Sequence, residues 1–220
     1  LVPLLGVPLI ERVIRSAVKG GADDFYVVTG YQGEKVANFL KRLSKRLNVA
    51  VTIIQNDDWQ KENGFSVLKA RDVMKEPFLL LMADHLFDPC IIWALQEKSL
   101  NKGEVLLAVD TDINNPLVDM EDVTKVCIKD GYILNIGKTI DDFNGFDTGL
   151  FLCTPAIFEA LERACKIHND TTLSAINLQN QYKQMDSGLI LMMKKLTKKQ
   201  KKRYWIRYVV KATTARFHIG

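Results

Sequence analysis

Phe78-Leu79-Leu80-Leu81-Met82-Ala83-Asp84-His85 joins a short run of apolar residues to a carboxylate and an imidazole. A run too short for a helix and apolar on both faces is the pattern of a buried central strand. In open α/β sheets, ligands bind beyond the carboxyl ends of the strands. A carboxylate delivered there suits Mg²⁺, which takes oxygen ligands, keeps several waters and commonly holds one or two carboxylates with substrate phosphates. Asp84 has the chemistry of one such ligand. A single carboxylate is a weak site and requires a second. His85 reads as a structural neighbour, and a strand-terminal Asp also serves simply to start a turn or cap a helix.

Three other segments could do chemistry. Asn56-Asp57-Asp58-Trp59-Gln60-Lys61-Glu62-Asn63-Gly64-Phe65-Ser66 follows a strand pattern and precedes a helical one. Gly64 would let backbone approach a ligand, Asn63 offers both a donor and an acceptor, and amides at a helix start favour anions. Asn-Gly is also the strongest short hairpin signal, but Val67, Leu68, Ala70 and Arg71 follow at helical period. Lys125 and Lys138 lie near the two ends of a hairpin pattern and could together neutralise a phosphate monoester, although hairpin lysines usually face water. In Phe146-Asp147-Thr148-Gly149-Leu150-Phe151, polar residues and a glycine at a strand start suit close approach to a sugar-like ligand, or an ordinary turn.

The elements that must position these groups alternate. Leu9, Ile10, Val13, Ile14, Ala17 and Val18 predict a helix stopped by Gly20-Gly21. Phe25–Thr29 reads as a strand. Val36, Phe39, Leu40, Leu43 and Leu47 mark a second helix, whose Lys41, Arg42, Lys45 and Arg46 read as a wet face. A strand over Val49–Ile54, a helix over Gly64–Met74, the strand ending at Asp84, a helix over Pro89–Lys98 and a strand over Val105–Val109 follow. This alternation predicts an α/β fold, a mostly parallel sheet with helices on both faces and right-handed crossovers. After Asp110 the pattern changes. Thr124–Ile128 and Tyr132–Ile136 flank Lys129-Asp130-Gly131, a hairpin signature, so a small antiparallel insertion is expected over one edge. Phe146–Cys153 returns to strand, and Pro155–Cys165 makes a helix with proline in its first turn.

With 220 residues, 47% hydrophobic and 25% charged, the chain suits one domain with a sizeable core. No stretch approaches the roughly 18 apolar residues of a membrane span, and no signal peptide opens it. Cys90, Cys127, Cys153 and Cys165 form no Cys-x-x-Cys pair and sit among apolar neighbours, so they read as reduced core residues of a cytoplasmic protein. Ten of the 30 basic residues lie from Lys194 to Arg216, and no acid follows Asp186. The expected division is therefore a domain over residues 1–193 and a basic tail over 194–220, a solvated end or a surface for nucleic acid or anionic membrane. No G-x-G-x-x-G follows a strand, and no G-x-x-x-x-G-K-[ST] occurs, so dinucleotide-dependent dehydrogenases and Walker-type ATPases have no fingerprint here.

Together these segments resemble the sugar-phosphate nucleotidyltransferases. The likeness covers roughly residues 1–175 and narrows toward the CTP:inositol-1-phosphate cytidylyltransferases. It rests on Leu1-Val2-Pro3-Leu4-Leu5-Gly6-Val7-Pro8-Leu9-Ile10, Asn63-Gly64-Phe65-Ser66, Met82-Ala83-Asp84-His85, Thr124-Lys125-Val126, Asp130-Gly131 through Ile136-Gly137-Lys138, and Asp147-Thr148-Gly149. The resemblance implies a Rossmann-like, GT-A-like fold. It implies a reaction in which a sugar or inositol phosphate oxygen attacks the α-phosphorus of a nucleoside triphosphate. Asn63, Gly64 and Ser66 would then lie at the nucleotide, and Asp84 would bind Mg²⁺. Lys125 and Lys138 would hold the acceptor phosphate, with Asp147, Thr148 and Gly149 at the polyol. The implied partners are CTP and a phosphorylated polyol, with no nucleic acid, and in this branch a membrane-embedded phosphotransferase domain often follows. A hexose-1-phosphate uridylyl- or guanylyltransferase and a non-catalytic nucleotide- or sugar-binding module are the alternatives.

Two departures bear on activity. The family's Gly-rich triphosphate loop would precede Leu1. Its late Trp-hydrophobe-Asp segment, whose Asp completes the metal site, meets Trp205-Ile206-Arg207 here, as a shifted reading frame would produce. Without both, this chain is expected to be an impaired catalyst. Base, acceptor and oligomeric state are not legible from the sequence.

Overall fold

The computed structural model describes residues 1–61, 63–170, 190–194 and 212–218. A two-stranded hairpin, β1 (Pro3–Leu4) and β2 (Val7–Pro8), leads into α1 (Leu9–Lys19). Then come β3 (Asp24–Thr29), α2 (Gly33–Leu47), β4 (Ala50–Gln55), α3 (Asn63–Leu68), β5 (Phe78–Met82), α4 (Pro89–Gln96) and β6 (Glu104–Asp110). The second half holds β7 (Lys125–Lys129), β8 (Tyr132–Gly137), β9 (Gly145–Cys153), α5 (Ala156–Asp170), β10 (Ile190–Lys194) and β11 (Ala212–His218).

The strands β3 to β11 make one sheet in the order β4-β3-β10-β5-β9-β6-β11-β8-β7, and β9 also pairs with β7. As expected of a doubly covered α/β sheet, β3, β4, β5 and β6 all run the same way. Their neighbours differ from the mostly parallel pairing expected. β10 lies antiparallel between β3 and β5, and β9 lies antiparallel between β5 and β6. Among the described residues only β3–β4 and a single β11–β8 partnership are parallel. The reason is topological: long returns insert later strands between earlier ones, and no local pattern encodes that. β11 falls within the expected tail yet joins the sheet along β6, from Ala212 opposite Asp110 to His218 opposite Glu104. The basic residues from Lys195 to Lys211 lie outside the described residues.

Period-2 alternation divides the core. Leu79 and Leu81 of β5 join Ile10, Val13, Ile14 and Ala17 of α1, Leu40 and Leu43 of α2, and Ile92 and Leu95 of α4. Phe78 and Leu80 face the other way, toward Val67, Ala70, Met74 and Phe158. Helices therefore cover both faces, as read from a strand apolar at every position. The Phe78 and Phe158 rings stack 5.6 Å apart, which fixes α5 against β5. The helix expected over Gly64–Met74 is shorter: α3 ends at Leu68, and turns carry the chain to buried Met74. The hairpin signature is realised as read, with Asp130 at φ 52° and Gly131 at φ 80°, the left-handed pair that a two-residue turn between twisted strands requires.

Helix ends follow local chemistry. Asp88 caps α4 by accepting from the Cys90 amide at 2.9 Å, with Pro89 in the first turn. Asn48 closes α2 in the left-handed conformation. Burial and the Asp88 carboxylate push the Cys90 thiol up to about 12, and burial pushes Cys153 up as well, which disfavours the thiolate at both. Cys90, Cys127 and Cys153 are free thiols. No helix among the described residues is long and apolar enough to cross a membrane.

One charge is buried under the first two helices. Glu11 on α1 accepts from Arg15 Nη2 at 2.7 Å and from Arg46 Nη2 of α2 at 2.8 Å. Arg46, read as part of a wet face, is indeed exposed, and only its head reaches the buried carboxylate. Burial alone would raise the Glu11 carboxyl, but the two arginines outweigh it and hold it below its ordinary value. A depressed folded-state carboxyl contributes stability above its unfolded value, and that contribution is lost as the pH falls through the folded value. Glu11→Gln should therefore lower stability by about 1–2 kcal/mol at pH 7, discounted for the half-exposed arginines. The difference from the parent should shrink below about pH 4, read as urea midpoints across pH. A difference independent of pH would remove the ion pair from the account.

Candidate active site

The carboxyl ends of β3, β4, β5 and β6 open on one edge of the sheet, and the amino end of antiparallel β9 arrives at the same edge. Asp84 lies in the turn just past Met82, held by the His85 amide to the Met82 carbonyl at 3.4 Å. Its side chain is 45% exposed. Nδ1 of His85 stands 2.8 Å from its Oδ1. A carboxylate can only accept, so Nδ1 carries the hydrogen and donates. The Asp84 hydrogen bond raises the His85 pKa; burial opposes this, and the charges of Asp84 and Asp147 add to the rise.

Asp147 reaches this place through an irregularity in β9. Leu107 of β6 faces Phe151, but Val109 faces Asp147, so β9 carries extra residues there as a bulge. Thr148 pins the bulge by donating to the Ala108 carbonyl at 2.7 Å. Gly149 takes φ 72°, and its amide donates to Asp147 Oδ1 at 2.7 Å. Loss of water raises the half-buried Asp147 carboxyl, while the Gly149 amide and His85 pull it down. The segment is therefore not a turn before a strand but a kink within a nine-residue one. The close approach that Gly149 permits is taken by the His85 ring, not by open space.

The hairpin root adjoins Asp147. Lys125 pairs with Phe146 on one side and with Gly137, just before Lys138, on the other. The Asp147 amide donates to the Thr124 carbonyl at 2.9 Å. Sequence spacing thus correctly brings both lysines to one end of the insertion. Their heads are engaged by residues that the sequence did not single out. Nζ of Lys125 lies 5.4 Å from the centroid of the Phe143 ring. Nζ of Lys138, 15% exposed, contacts Asp122 Oδ1 at 2.5 Å across to an 80% exposed carboxylate.

Along β3 and β4 the edge is aromatic. Tyr31 and Trp59 follow those strands, with ring centroids 5.3 Å apart. Both are exposed, and Trp59 lies in the segment singled out for Asn63 and Gly64. Asn63 and Gly64 open α3 and are half-buried, with Leu161 of α5 against Gly64. Six residues make α3 too short to offer the anion-favouring helix start expected. Ser66 faces inward: its Oγ accepts from Asn56 Nδ2 at 2.9 Å, and both are buried. Asn56 Oδ1 in turn accepts from the Asp58 amide at 3.0 Å. Ser66 thus supports the turn that precedes Asn63, a role visible only once Asn56 and Ser66 are seen in contact. His85 was the neighbour of a singled-out acid; Phe143 and Asp122 carried no sequence signal.

An α/β sheet with an acidic turn at its carboxyl edge and a lysine-bearing hairpin beside it is the architecture of a nucleotide-handling transferase. The model of the MobA-like NTP transferase domain matches residues 1–178, and the chain belongs to that family. It is 32% identical to a bifunctional IPC transferase and DIPP synthase of Rubrobacter xylanophilus over 166 residues, 74% of this chain and 36% of the relative. It is also 32% identical to the protein of the same description from Aquifex aeolicus, over 80% of this chain and 39% of the relative. Among solved structures, the inositol-1-phosphate CTP transferase from T. maritima superposes with a TM-score of 0.64 at 26% identity, over 74% of this chain and 64% of that one. The chain spans under two-fifths of the length of those two curated relatives.

The Asn56–Ser66 pair makes one local test. Ser66→Ala leaves a buried amide without its acceptor and should cost about 1–3 kcal/mol. It should lower the urea midpoint at constant m-value, whereas an unchanged midpoint would show that the pair does not hold the turn.

Proposed function

We propose that this domain transfers a cytidylyl group from CTP to inositol 1-phosphate and releases pyrophosphate. The observation that carries this reading is the convergence of Asp84, Asp147 and the Lys125/Lys138 root at one sheet edge. The printed names of the relatives, IPC transferase and inositol-1-phosphate CTP transferase, support the choice of base and acceptor. In the reaction an oxygen of the acceptor phosphate attacks the α-phosphorus of CTP. One P–O bond forms, the bond to the bridging oxygen of the β-phosphate breaks, and pyrophosphate leaves in line with the attack. Little covalent work falls to the protein, so positioning and charge neutralisation dominate.

Each residue then has a physical task. Lys125 and Lys138 hold the acceptor phosphate, exchanging Phe143 and Asp122 for its oxygens. Asp147, fixed by Thr148 and Gly149, accepts from a polyol hydroxyl. Asn63 and Gly64 lie at the base, with Ser66 behind them. Asp84 fits Mg²⁺ as an exposed carboxylate oxygen donor in the turn at the carboxyl end of β5. Mg²⁺ commonly needs only one or two carboxylates when phosphates and waters complete its shell. When bound, the ion would neutralise triphosphate charge and steady the leaving pyrophosphate. We assign this chemistry to residues 1–193 in the cytoplasm. The description of the relatives as bifunctional IPC transferases and DIPP synthases supports a longer form that carries a second activity.

Pyrophosphate release by the full-length protein tests this. CTP with inositol 1-phosphate should outpace UTP or GTP with hexose 1-phosphates, and Asp84→Asn should lower kcat at least 10²-fold, on the order found when one oriented transition-state contact is removed. A preference for UTP or GTP with a hexose phosphate would replace the substrate assignment. Undiminished turnover by Asp84→Asn would remove Asp84 from the metal site.

A further inference from the structure

His85 is wedged at the centre of this edge. Its Nδ1 donates to Asp84 Oδ1 at 2.8 Å. Its other flank lies on the backbone of β9: a methyl built on Gly149 would stand 2.9 Å from Cδ2 of His85 and 3.1 Å from its Cγ, as well as 3.0 Å from Cγ of Met82. Gly149 is therefore constrained twice. Its φ of 72° belongs to the bulge, where an Asn is often tolerated. A β-carbon there would sit closer to the His85 ring than van der Waals contact allows, so any side chain must push the ring aside.

A ring packed against backbone has fewer rotamers open to it, and it gives the hydrogen-bond donor facing Asp84 to a carboxylate that is 45% exposed. An exposed Asp on a turn samples several orientations. A rigid donor on one oxygen selects among them and fixes the plane of the carboxylate. Nothing about core packing requires this, because His85 is itself 38% exposed.

We propose that His85 is a positioning residue that aims the Asp84 carboxylate at the cation of a bound nucleoside triphosphate, with Gly149 as the seat that holds its ring. This rests on the reading of Asp84 as the cation ligand. Partners that orient a ligating group from behind typically contribute about 10–100-fold in metal affinity. The effect is carried from the β9 bulge to the β5 turn through one imidazole, so the bulge positions Asp84 as well as Asp147.

The test compares binding of Mn²⁺–CTP with that of metal-free CTP in the full-length protein, using water-proton relaxation enhancement for the first and calorimetry for the second. His85→Ala should weaken Mn²⁺–CTP binding about 10–100-fold and leave metal-free CTP binding within about twofold. His85→Asn, whose amide nitrogen can replace Nδ1, should restore Mn²⁺–CTP binding to within a few-fold of the parent. Gly149→Ala, which displaces the ring, should resemble His85→Ala; if Gly149→Ala fails to fold, the two His85 variants carry the test alone. Equal losses of both ligands in His85→Ala would reduce His85 to a structural role and overturn the proposal. So would a full Mn²⁺–CTP affinity in His85→Ala beside a loss in Asp84→Asn, with the cation reading of Asp84 left standing. If Asp84→Asn itself binds Mn²⁺–CTP like the parent, that reading fails, and the role of His85 fails with it.

Discussion

Everything at the site depends on β5 having no free edge and no exposed face. Its backbone is paired on both sides, by β10 and by β9, and its side chains are divided between two cores. Buried peptide groups tolerate no missing partners, so such a strand is stiff and its register is fixed. The chain therefore leaves the sheet at a set point, just past Met82, and the first polar residue it can release is Asp84. A slip of one residue would exchange Phe78 and Leu80 with Leu79 and Leu81 across the sheet, mismatching both helical layers at once.

The second constraint is the kink in β9. A regular antiparallel strand beside both β5 and β6 would keep strict alternation to its end. The bulge at Thr148 and Gly149 breaks that alternation where the sheet meets solvent. It leaves Asp147 half-buried, next to the hairpin root, and opens a notch for the imidazole of His85 just past the β5 turn. One irregularity thus couples three otherwise separate pieces: the β5 turn, the β9 acid and the lysine hairpin. Bulges near sites often re-aim one side chain; this one arranges two, the second through contact with His85.

Charge is distributed with the same economy. Glu11 is neutralised deep between α1 and α2, away from the mouth, where it ties the two helices together. At the mouth the lysines are partnered near the surface: Lys138 with the exposed Asp122 carboxylate, Lys125 with the Phe143 ring. The Cys90 and Cys153 thiols stand apart, pushed up by burial and, for Cys90, by Asp88, and take no part in this distribution.

Much of this was written in local pattern. An apolar run closed by Asp84 determined a central strand and its exit. Lys129-Asp130-Gly131 determined a two-residue hairpin, and with it the placing of Lys125 and Lys138 near one root. Both signals are legible because period and turn chemistry act over a few residues. The placement of β10 between β3 and β5, of β9 between β5 and β6, and of β11 beside β6 was decided by tertiary structure alone. Strand neighbours separated by many tens of residues are chosen by burial of the whole sheet, which no short window encodes. The same holds for the finer roles. That Ser66 turns inward to Asn56, that the Arg46 head reaches Glu11, and that Gly149 makes room for His85 are contacts that no local period states. The residue types announced that those positions were special; only the packed chain decided what each is special for.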